Sequence, residues 1–397
     1  MVTPPASTGR IAQLDALRGL AVIGIVWMNV YAFALPLQAY YNPVAWGGES
    51  LPDRIVWATQ FVFVEDKFRT LFAMLFGAGC VMLIEKGGER SLRAHYARMA
   101  VLFAIGAAHS ILLASNDVLR AYALAGLAIP LLAPLSHRAL YAVAIGLVAA
   151  HVGGGMVAFG GALVDYYAGR SDSDATLMIE RRFGVDEPAL RYALELGREG
   201  FGERAWRRIE DFPQHLQNVA LSIPLNLAAI ALGMATWKDR LLAREWRMFR
   251  MQRLAAVCGV AGILGSLALA VWVESSQFSA PVVAAASLVL STPFDMLLGL
   301  AYAALAMALF TSGGWATHWL ATVGRLSLTN YLMTSLIFAA MFASWGLSLF
   351  GEVSRAQTFA LSFVAVIAML AWSPIWSARL GQGPFERLWR GATRLLA

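Results

Sequence analysis

The chain reads as an all-α protein, a polytopic transmembrane bundle of about ten spans with both termini in the cytoplasm, and three observations predict it. Of its 397 residues, 59% are hydrophobic and only 14% charged, against about 25% charged in soluble domains. Apolar runs near the roughly 20 residues that cross a bilayer recur along the whole length. The basic residues gather in short segments between alternate runs, as orientation in a membrane requires.

The runs fall approximately at 17 to 37, 67 to 84, 99 to 114, 118 to 134, 139 to 163, 219 to 237, 254 to 273, 282 to 310, 325 to 347 and 357 to 377. The third and fourth are short, and 282 to 310 is interrupted by Ser291-Thr292-Pro293 and Asp295. The first run has features of a signal peptide, with Ala32-Phe33-Ala34 in place of a cleavage site. It is read instead as a retained span, because Asp15, Arg18 and Asn29 share one helical face. With both ends inside, 18 Lys and Arg fall in inner segments and 13 in outer ones, 8 of the latter in a single long loop. Long loops count little in this rule, so the comparison that orients the chain is 18 against 5. The same distribution assigns the net charge of +6 to topology and excludes nucleic acid as a partner. Cys80 and Cys258 both lie in apolar runs, where neither a disulfide framework nor a metal site is expected.

Three parts follow: an N-terminal transmembrane half (1–163) that carries the polar motifs, an extracytoplasmic loop (164–218), and a C-terminal transmembrane half (219–397). The loop holds 11 acidic and 8 basic residues, and "RYALELGREGFGERAWRRIEDF" has the mixed spacing of amphipathic helix. Two roles stay open for it, a solvated cap and part of a substrate vestibule.

An ionisable side chain at bilayer depth costs about 2.5 to 3.5 kcal/mol on insertion scales, so it is turned inward, paired and read first as functional. In "LDALRGLAVIGIVWMN", Asp15, Arg18, Val22, Ile25 and Asn29 step by three or four along one stripe. That stripe suits either interhelical contact with an interfacial ion pair or a ligand path. In "FVFVEDKFRTLFAMLFGAGC", Glu65, Asp66, Lys67 and Arg69 interrupt an apolar stretch of roughly 30 residues, which is tolerated only where protein or water satisfies the polar groups. Their expected place is near the outer boundary of the core, with Glu65 and Arg69 paired at i,i+4 and Lys67 projecting elsewhere. They would line an outer-facing cavity or form a snorkelling interfacial cluster. In "GAAHSILLASNDVLRAY", His109 lies late in one span and Asp117 and Arg120 follow in the short outer turn. A histidine titrates near neutrality and serves as a general base when a carboxylate holds its tautomer. Asp117 and Glu65 are both candidates for that carboxylate, and a plain packing histidine is the other reading. In "GRLSLTNYLMTS", Ser327, Asn330, Tyr331 and Thr334 share a face behind Arg325, suited to close packing or to ligand hydrogen bonds. Neither Gly153-Gly154-Gly155 nor "FGAG" has phosphate-loop context, and both are read as points of close helix approach.

Taken together, "LDALRGLAVIGIVWMN", "EDKFRTLFAMLFGAG", "IGAAHSILLASNDVLRAYALAG", "VGRLSLTNYLMTS" and the terminal "GPFERLWR" resemble the YeiB-like bacterial inner-membrane proteins, whose C-terminal part is the DUF418 domain. In its first helices this family is similar to heparan-alpha-glucosaminide N-acetyltransferase-type membrane acyltransferases. That resemblance implies a multi-pass protein of the bacterial inner membrane that passes an acyl group from cytoplasmic acyl-CoA, acetyl-CoA first, to a sugar or other small-molecule acceptor outside, without a metal. "YYNPVAWGGE" lacks the histidine those acetyltransferases carry in that loop, so the base role would fall to His109, oriented by Asp117 or Glu65. Asp15, Arg18 and Arg325 would guide the anionic donor, Lys67 and Arg69 would stabilise oxyanion charge, and Asn29, Asn330 and Tyr331 would complete the substrate contacts. A proton-coupled transporter or exporter is the alternative use of the same charges. A homodimer is also open.

Overall fold

A computed structural model of the chain describes residues 12–170, 173–311 and 313–397, with the side chains of 86 and 88–90 left aside. Arg10, one of the basic residues assigned to the inside, lies outside the described residues. All regular structure among the described residues is helical. Six stretches are long and apolar enough to cross a membrane, namely Ala12–Ala34, Leu51–Glu85, His137–Tyr167, Met248–Ser275, Thr292–Leu309 and Arg355–Leu380. A seventh appears if Phe212–Leu221 and Ile223–Lys238, bent by 48°, count as one span.

Each apolar run of the sequence is nonetheless helical. Helix α1 (Ala12–Ala34) is followed by the short α2 (Gln38–Tyr41), then α3 (Leu51–Phe63) and the long α4 (Lys67–Leu112). The run 118 to 134 divides into α5 (Val118–Gly126) and α6 (Ile129–Leu132), because Pro130 has no N–H to continue the first helix. After α7 (His137–Tyr167), the loop region folds as α8 (Asp174–Phe183), α9 (Glu187–Gly197), α10 (Phe201–Glu210) and α11 (Phe212–Leu221). The C-terminal half comprises α12 (Ile223–Lys238), α13 (Met248–Ser275), α14 (Ala280–Ala285), α15 (Thr292–Leu309), α16 (Trp315–Arg325), α17 (Ser327–Phe342), α18 (Arg355–Leu380) and α19 (Pro384–Leu396). A π-helical turn at Ala286–Leu290 joins α14 to α15 just before Ser291-Thr292-Pro293, where the sequence breaks its apolar run.

Although its helical hydrogen bonding is continuous, α4 is folded back on itself. A straight helix would place residues 76 and 99 about 35 Å apart, yet a Cβ on Gly126 would lie 3.4 Å from the Phe76 ring and 2.4 Å from the Met99 sulfur. Ser91 Oγ also donates to the Ile84 carbonyl at 3.3 Å, across seven residues that a straight helix spreads over about 10 Å. The bend falls at Gly87-Gly88, where weak helix propensity lets the axis turn. The two limbs correspond to the two spans that the sequence separates at "EKGGERS", and α5 packs between them.

Reciprocal glycine contacts fix two crossings. A Cβ on Gly77 would sit 2.3 Å from the Ile230 carbonyl oxygen, and one on Gly233 would sit 1.9 Å from that of Met74, so α4 and α12 meet backbone to backbone. Gly19 against Leu320 and Gly324 against Asp15 do the same for α1 and α16. This is the small-residue packing expected where lipid offers no hydrophobic drive between helices. The reading of "FGAG" holds through Gly77, but that of the glycine triplet holds only for Gly155, which faces Val289. Gly153 and Gly154 face open space, because that stretch of α7 lies on the outside of the bundle.

The main core cluster runs from Leu14 to Met369, and two smaller ones gather around Trp57 and Phe278 and around Ile179 and Phe183. Helices α8 to α11 close one end of the bundle, the end assigned to the outside. Buried Asn42 ties this cap down by donating to the carbonyls of Phe183 at 2.7 Å and Phe278 at 3.0 Å.

Candidate active site

Where the second limb of α4 ends, the chain turns through 113–116 and Asp117 becomes the N-cap of α5, its Oδ1 accepting from the Arg120 N–H at 3.0 Å. Such a cap satisfies one of the orphan donors of the first turn. The other oxygen, Oδ2, lies 2.7 Å from His109 Nδ1 and accepts from the Tyr331 hydroxyl at 3.4 Å. A carboxylate accepts only, so Nδ1 carries the proton and Nε2 is left as the basic nitrogen. Nε2 is buried and has no hydrogen-bond partner. The Tyr331 ring lies 5.2 Å from the imidazole, between centroids. Gly106, one turn before His109, makes this approach possible, since a Cβ there would lie 2.6 Å from Asp117 Oδ1 and 2.9 Å from the Arg120 nitrogen.

Arg120 completes the group. Only 1% exposed, it donates from Nη2 to the Ser115 carbonyl at 2.7 Å and sets its guanidinium 5.6 Å from the centre of the Phe212 ring on α11. Its Nε is 3.8 Å from Asp117 Oδ1, and neither Nε nor Nη1 makes a hydrogen bond. Buried polar atoms without partners cost about 1 to 3 kcal/mol each, so an imidazole acceptor and two guanidinium donors left unsatisfied side by side mark a place built for something other than packing.

The second group lies where α3 meets α4. Asp66 has φ of 56°, a left-handed conformation that ends one helix and starts the next. The amides of Val64 and Glu65 both turn to the Gln60 carbonyl, which strips the Phe61 carbonyl of its normal i+4 donor. Lys67 Nζ takes that place by donating to the Phe61 oxygen and also pairs with Asp295 Oδ1 on α15 at 2.7 Å. Arg69 donates to Asp66 at 2.6 Å and to Asn226 on α12 at 3.1 Å, and it accepts from the Tyr122 hydroxyl at its own carbonyl. Tyr122 belongs to α5 and lies within electrostatic reach of Asp117, Asp66 and Arg69, which links the two groups.

Several expectations are corrected here. Glu65 does not pair with Arg69, because α4 begins only at Lys67 and the i,i+4 spacing of a helix does not apply across the break. Asp66 pairs with Arg69 instead. The partners of these charges stand near the starts of their helices, Asp295 in the first turn of α15 and Asn226 in that of α12, while the neighbouring Phe68 ring packs on Gly24 of α1, where a Cβ would meet it at 2.0 Å. Of the two carboxylates open as orienters of His109, Asp117 holds the position, while Glu65 is buried near Lys67 and Asp295.

The remaining site residues lie apart from these groups. Asp15 and Arg18 form a 2.6 Å pair beside a cleft walled by Leu75, Gly79 and Trp237 that encloses about 10 Å³, room for a single water. Arg325 donates to Ser377 at 2.9 Å. Asn330 and Tyr331, expected on one face, diverge: the Asn330 amide donates to the Val323 carbonyl on α16 and to Ser373 on α18 and accepts from Trp372, while Tyr331 turns to His109. Asn29 is half-buried and makes no side-chain hydrogen bond among the described residues. Sequence reasoning did not single out Arg355, which is 1% exposed, spans the carbonyls of Ala39 and Tyr40 and stacks 4.2 Å over Tyr31. It also passed over Glu386 as a site, although its carboxylate accepts from the Leu328 and Thr329 amides that begin α17.

Residues 235–395 match the family model DUF418, "Protein of unknown function (DUF418)". The matched region contains Asp295, Arg325 and Tyr331, whereas His109 and Asp117 precede it. Along nearly its whole length the chain is similar to the "Uncharacterized protein YeiB" of Escherichia coli (strain K12), 29% identical over 97% of this chain and 96% of that one. It is likewise similar to the "Uncharacterized protein YxaH" of Bacillus subtilis (strain 168), 26% identical over 99% and 96%. A shorter stretch, 31% of the chain, is 32% identical to an "Uncharacterized 39.9 kDa protein in amylase 3'region" of Bacillus acidopullulyticus, covering 34% of it. No solved structure matches the chain.

Proposed function

We propose that this YeiB-like DUF418 protein is an acyltransferase of the bacterial inner membrane, in which an acyl group from cytoplasmic acyl-CoA is passed to a hydroxyl or amine at the outer side. The observation that carries the reading is the His109 and Asp117 pair, with Nδ1 held by a buried carboxylate and Nε2 left without a partner. In the proposed step, Nε2 takes the proton of the acceptor as its oxygen or nitrogen attacks the thioester carbonyl. The tetrahedral intermediate then expels the CoA thiolate, which takes up the same proton from the imidazolium, and Asp117 stabilises the cation in between. Arg120 suits the oxyanion better than Lys67 or Arg69, because those two cations hold carboxylates at 2.7 and 2.6 Å, while Arg120 lies 3.8 Å from Asp117 and keeps two donors free of hydrogen bonds. Preorganised donors of this kind are worth about 2.7 to 4 kcal/mol.

The test is purified protein with labelled acetyl-CoA and a panel of sugar and small-molecule acceptors. Transfer that falls about 100-fold or more in His109→Gln supports the reading. Absence of any CoA-dependent product, together with a His109→Gln protein indistinguishable from wild type, would refute it.

A second reading, a proton-coupled transporter, is favoured by the buried Lys67 and Asp295 pair with Glu65 beside it, since buried acid and base groups in pumps relay protons. Flux into proteoliposomes that needs a proton gradient and no acyl donor would decide for it.

A further inference from the structure

We propose that α10 and α11 roof the His109 site with an anion-binding vestibule in which Arg204 and Arg208, with Arg120 beneath, select an acceptor carrying a phosphate-type oxyanion. The inference rests on the acyltransferase reading for the word acceptor and deepens it by naming the substrate class.

The roof is anchored to the site itself. Arg208 Nη1 donates to the Ile111 carbonyl at 3.3 Å, two residues beyond His109, and Phe212 covers the Arg120 guanidinium. Between them His215 lies within electrostatic reach of Arg120, Arg207 and Arg208.

Every carboxylate nearby is committed elsewhere. Glu199 forms a two-pronged pair with Arg207 at 2.7 to 2.9 Å, and Asp211 lies 3.6 Å from the same guanidinium. Glu203 caps α10 by accepting from the Gly200 amide, and Glu210 accepts from Trp206. Arg204 and Arg208 are thus left with backbone carbonyls alone, Leu196 and Gly197 for the former and Ile111 for the latter. Carbonyls orient a guanidinium without neutralising it. Arg204 Nε is, in addition, buried without a partner. The Arg208 guanidinium is pulled down to about 10 by burial and then by the repulsion of Arg204 and Arg207, which the carboxylate of Glu199 offsets only in part.

Fixed guanidinium forks with free donors match the geometry of phosphate oxygens. Two sources present that chemistry here. One is the headgroup of an anionic lipid, which the exposed Trp206 and Ile209 of α10 would meet at the membrane surface, and the other is a soluble phosphate ester.

Calorimetric titration of full-length protein in phosphatidylcholine nanodiscs tests the proposal with two probes, dihexanoyl phosphatidylglycerol and glycerol phosphate. At least one should bind, and the Arg204→Gln/Arg208→Gln protein should bind it about tenfold or more weakly. The charge-keeping Arg204→Lys/Arg208→Lys protein should fall between, which guards against a folding artefact. Arg191→Gln on the exposed face of α9 should match wild type. Loss confined to the lipid probe assigns the site to a headgroup, and loss confined to glycerol phosphate assigns it to a soluble ester. Binding of neither probe by wild type, or equal binding by the double glutamine variant, overturns the proposal. His109→Gln separates the two readings, since it should abolish transfer and leave binding intact. Variant-sensitive binding without transfer under any condition would remove the acyltransferase reading and keep the vestibule.

Discussion

Replacing Asp295 by Asn removes a charge while keeping the shape of the side chain, and it strands Lys67, which is fully buried. Lys67 Nζ is held by Asp295 at 2.7 Å and by the Phe61 carbonyl, so the variant keeps a dipole and loses the counter-charge. Breaking a buried pair in this way costs about 3 to 5 kcal/mol. Two features reduce the loss: the Phe61 ring lies 5.3 Å from Nζ and offers a cation-π contact, and Glu65 lies within electrostatic reach of the ammonium. The expected cost is therefore about 2 to 3 kcal/mol for Asp295→Asn and the full 3 to 5 for Glu65→Gln/Asp295→Asn. The apolar replacement Lys67→Met/Asp295→Leu removes both charges and should return to within about 1.5 kcal/mol of wild type. Equilibrium unfolding in mixed micelles, followed by tryptophan fluorescence at pH 7, measures all three variants against wild type. If Asp295→Asn and its Glu65→Gln double both unfold within about 0.5 kcal/mol of wild type at pH 7, the pair is not holding α4 to α15 and the account fails.

Three further outcomes follow from particular contacts. Gly77→Val places a branched side chain where a single Cβ already lies 2.3 Å from the Ile230 oxygen, so it should cost about 3 kcal/mol or more in the same unfolding assay and lower the monodisperse yield. Gly106→Ala should push Asp117 and the start of α5 away from His109, cutting acyl transfer about 100-fold while the folded protein is still recovered by size-exclusion chromatography. Asp53 accepts from the Ala356 amide at 2.7 Å and from Ser354 Oγ at 2.9 Å, so Asp53→Ala should cost about 1 to 2 kcal/mol and speed amide exchange in the first turn of α18, measured by mass spectrometry.

Membrane character and the positions of most helices were legible because both follow from composition and apolar length, which are additive along the chain. The fold-back of α4 was legible for a related reason: "EKGGERS" joins poor helix formers to charges that lipid excludes. The His109 and Asp117 pair could be foreseen because Asp117 precedes a helix by one residue and His109 ends another, so one tight turn brings them together. Pairings between distant segments are a different matter. Nothing in "STPFDMLL" says that Asp295 meets Lys67 across 228 positions, and Arg355 looked like an ordinary residue at the start of a span until Tyr31 and two carbonyls closed around it. A sequence displays the cost of a buried charge, while its partner is set by tertiary packing.

The failed pairing of Glu65 with Arg69 shows how that cost is met. Had the helix run unbroken through "FVFVEDKFRT", an i,i+4 pair would have formed and Lys67 would have pointed away from it, toward lipid or protein without a purpose. The left-handed turn at Asp66 instead frees one carbonyl, and the charge that would have been stranded becomes its hydrogen-bond donor. Broken backbone inside a membrane is tolerated where protein or water satisfies it, and here a lysine does so while reaching a carboxylate on another helix. The break and the charges are therefore one device, and each would be unfavourable alone. Removing the break should consequently be as damaging as removing the charge. Residues that form helix well and disfavour positive φ, introduced at 64–66, should lose the Lys67 and Asp295 contact even though neither residue has been changed.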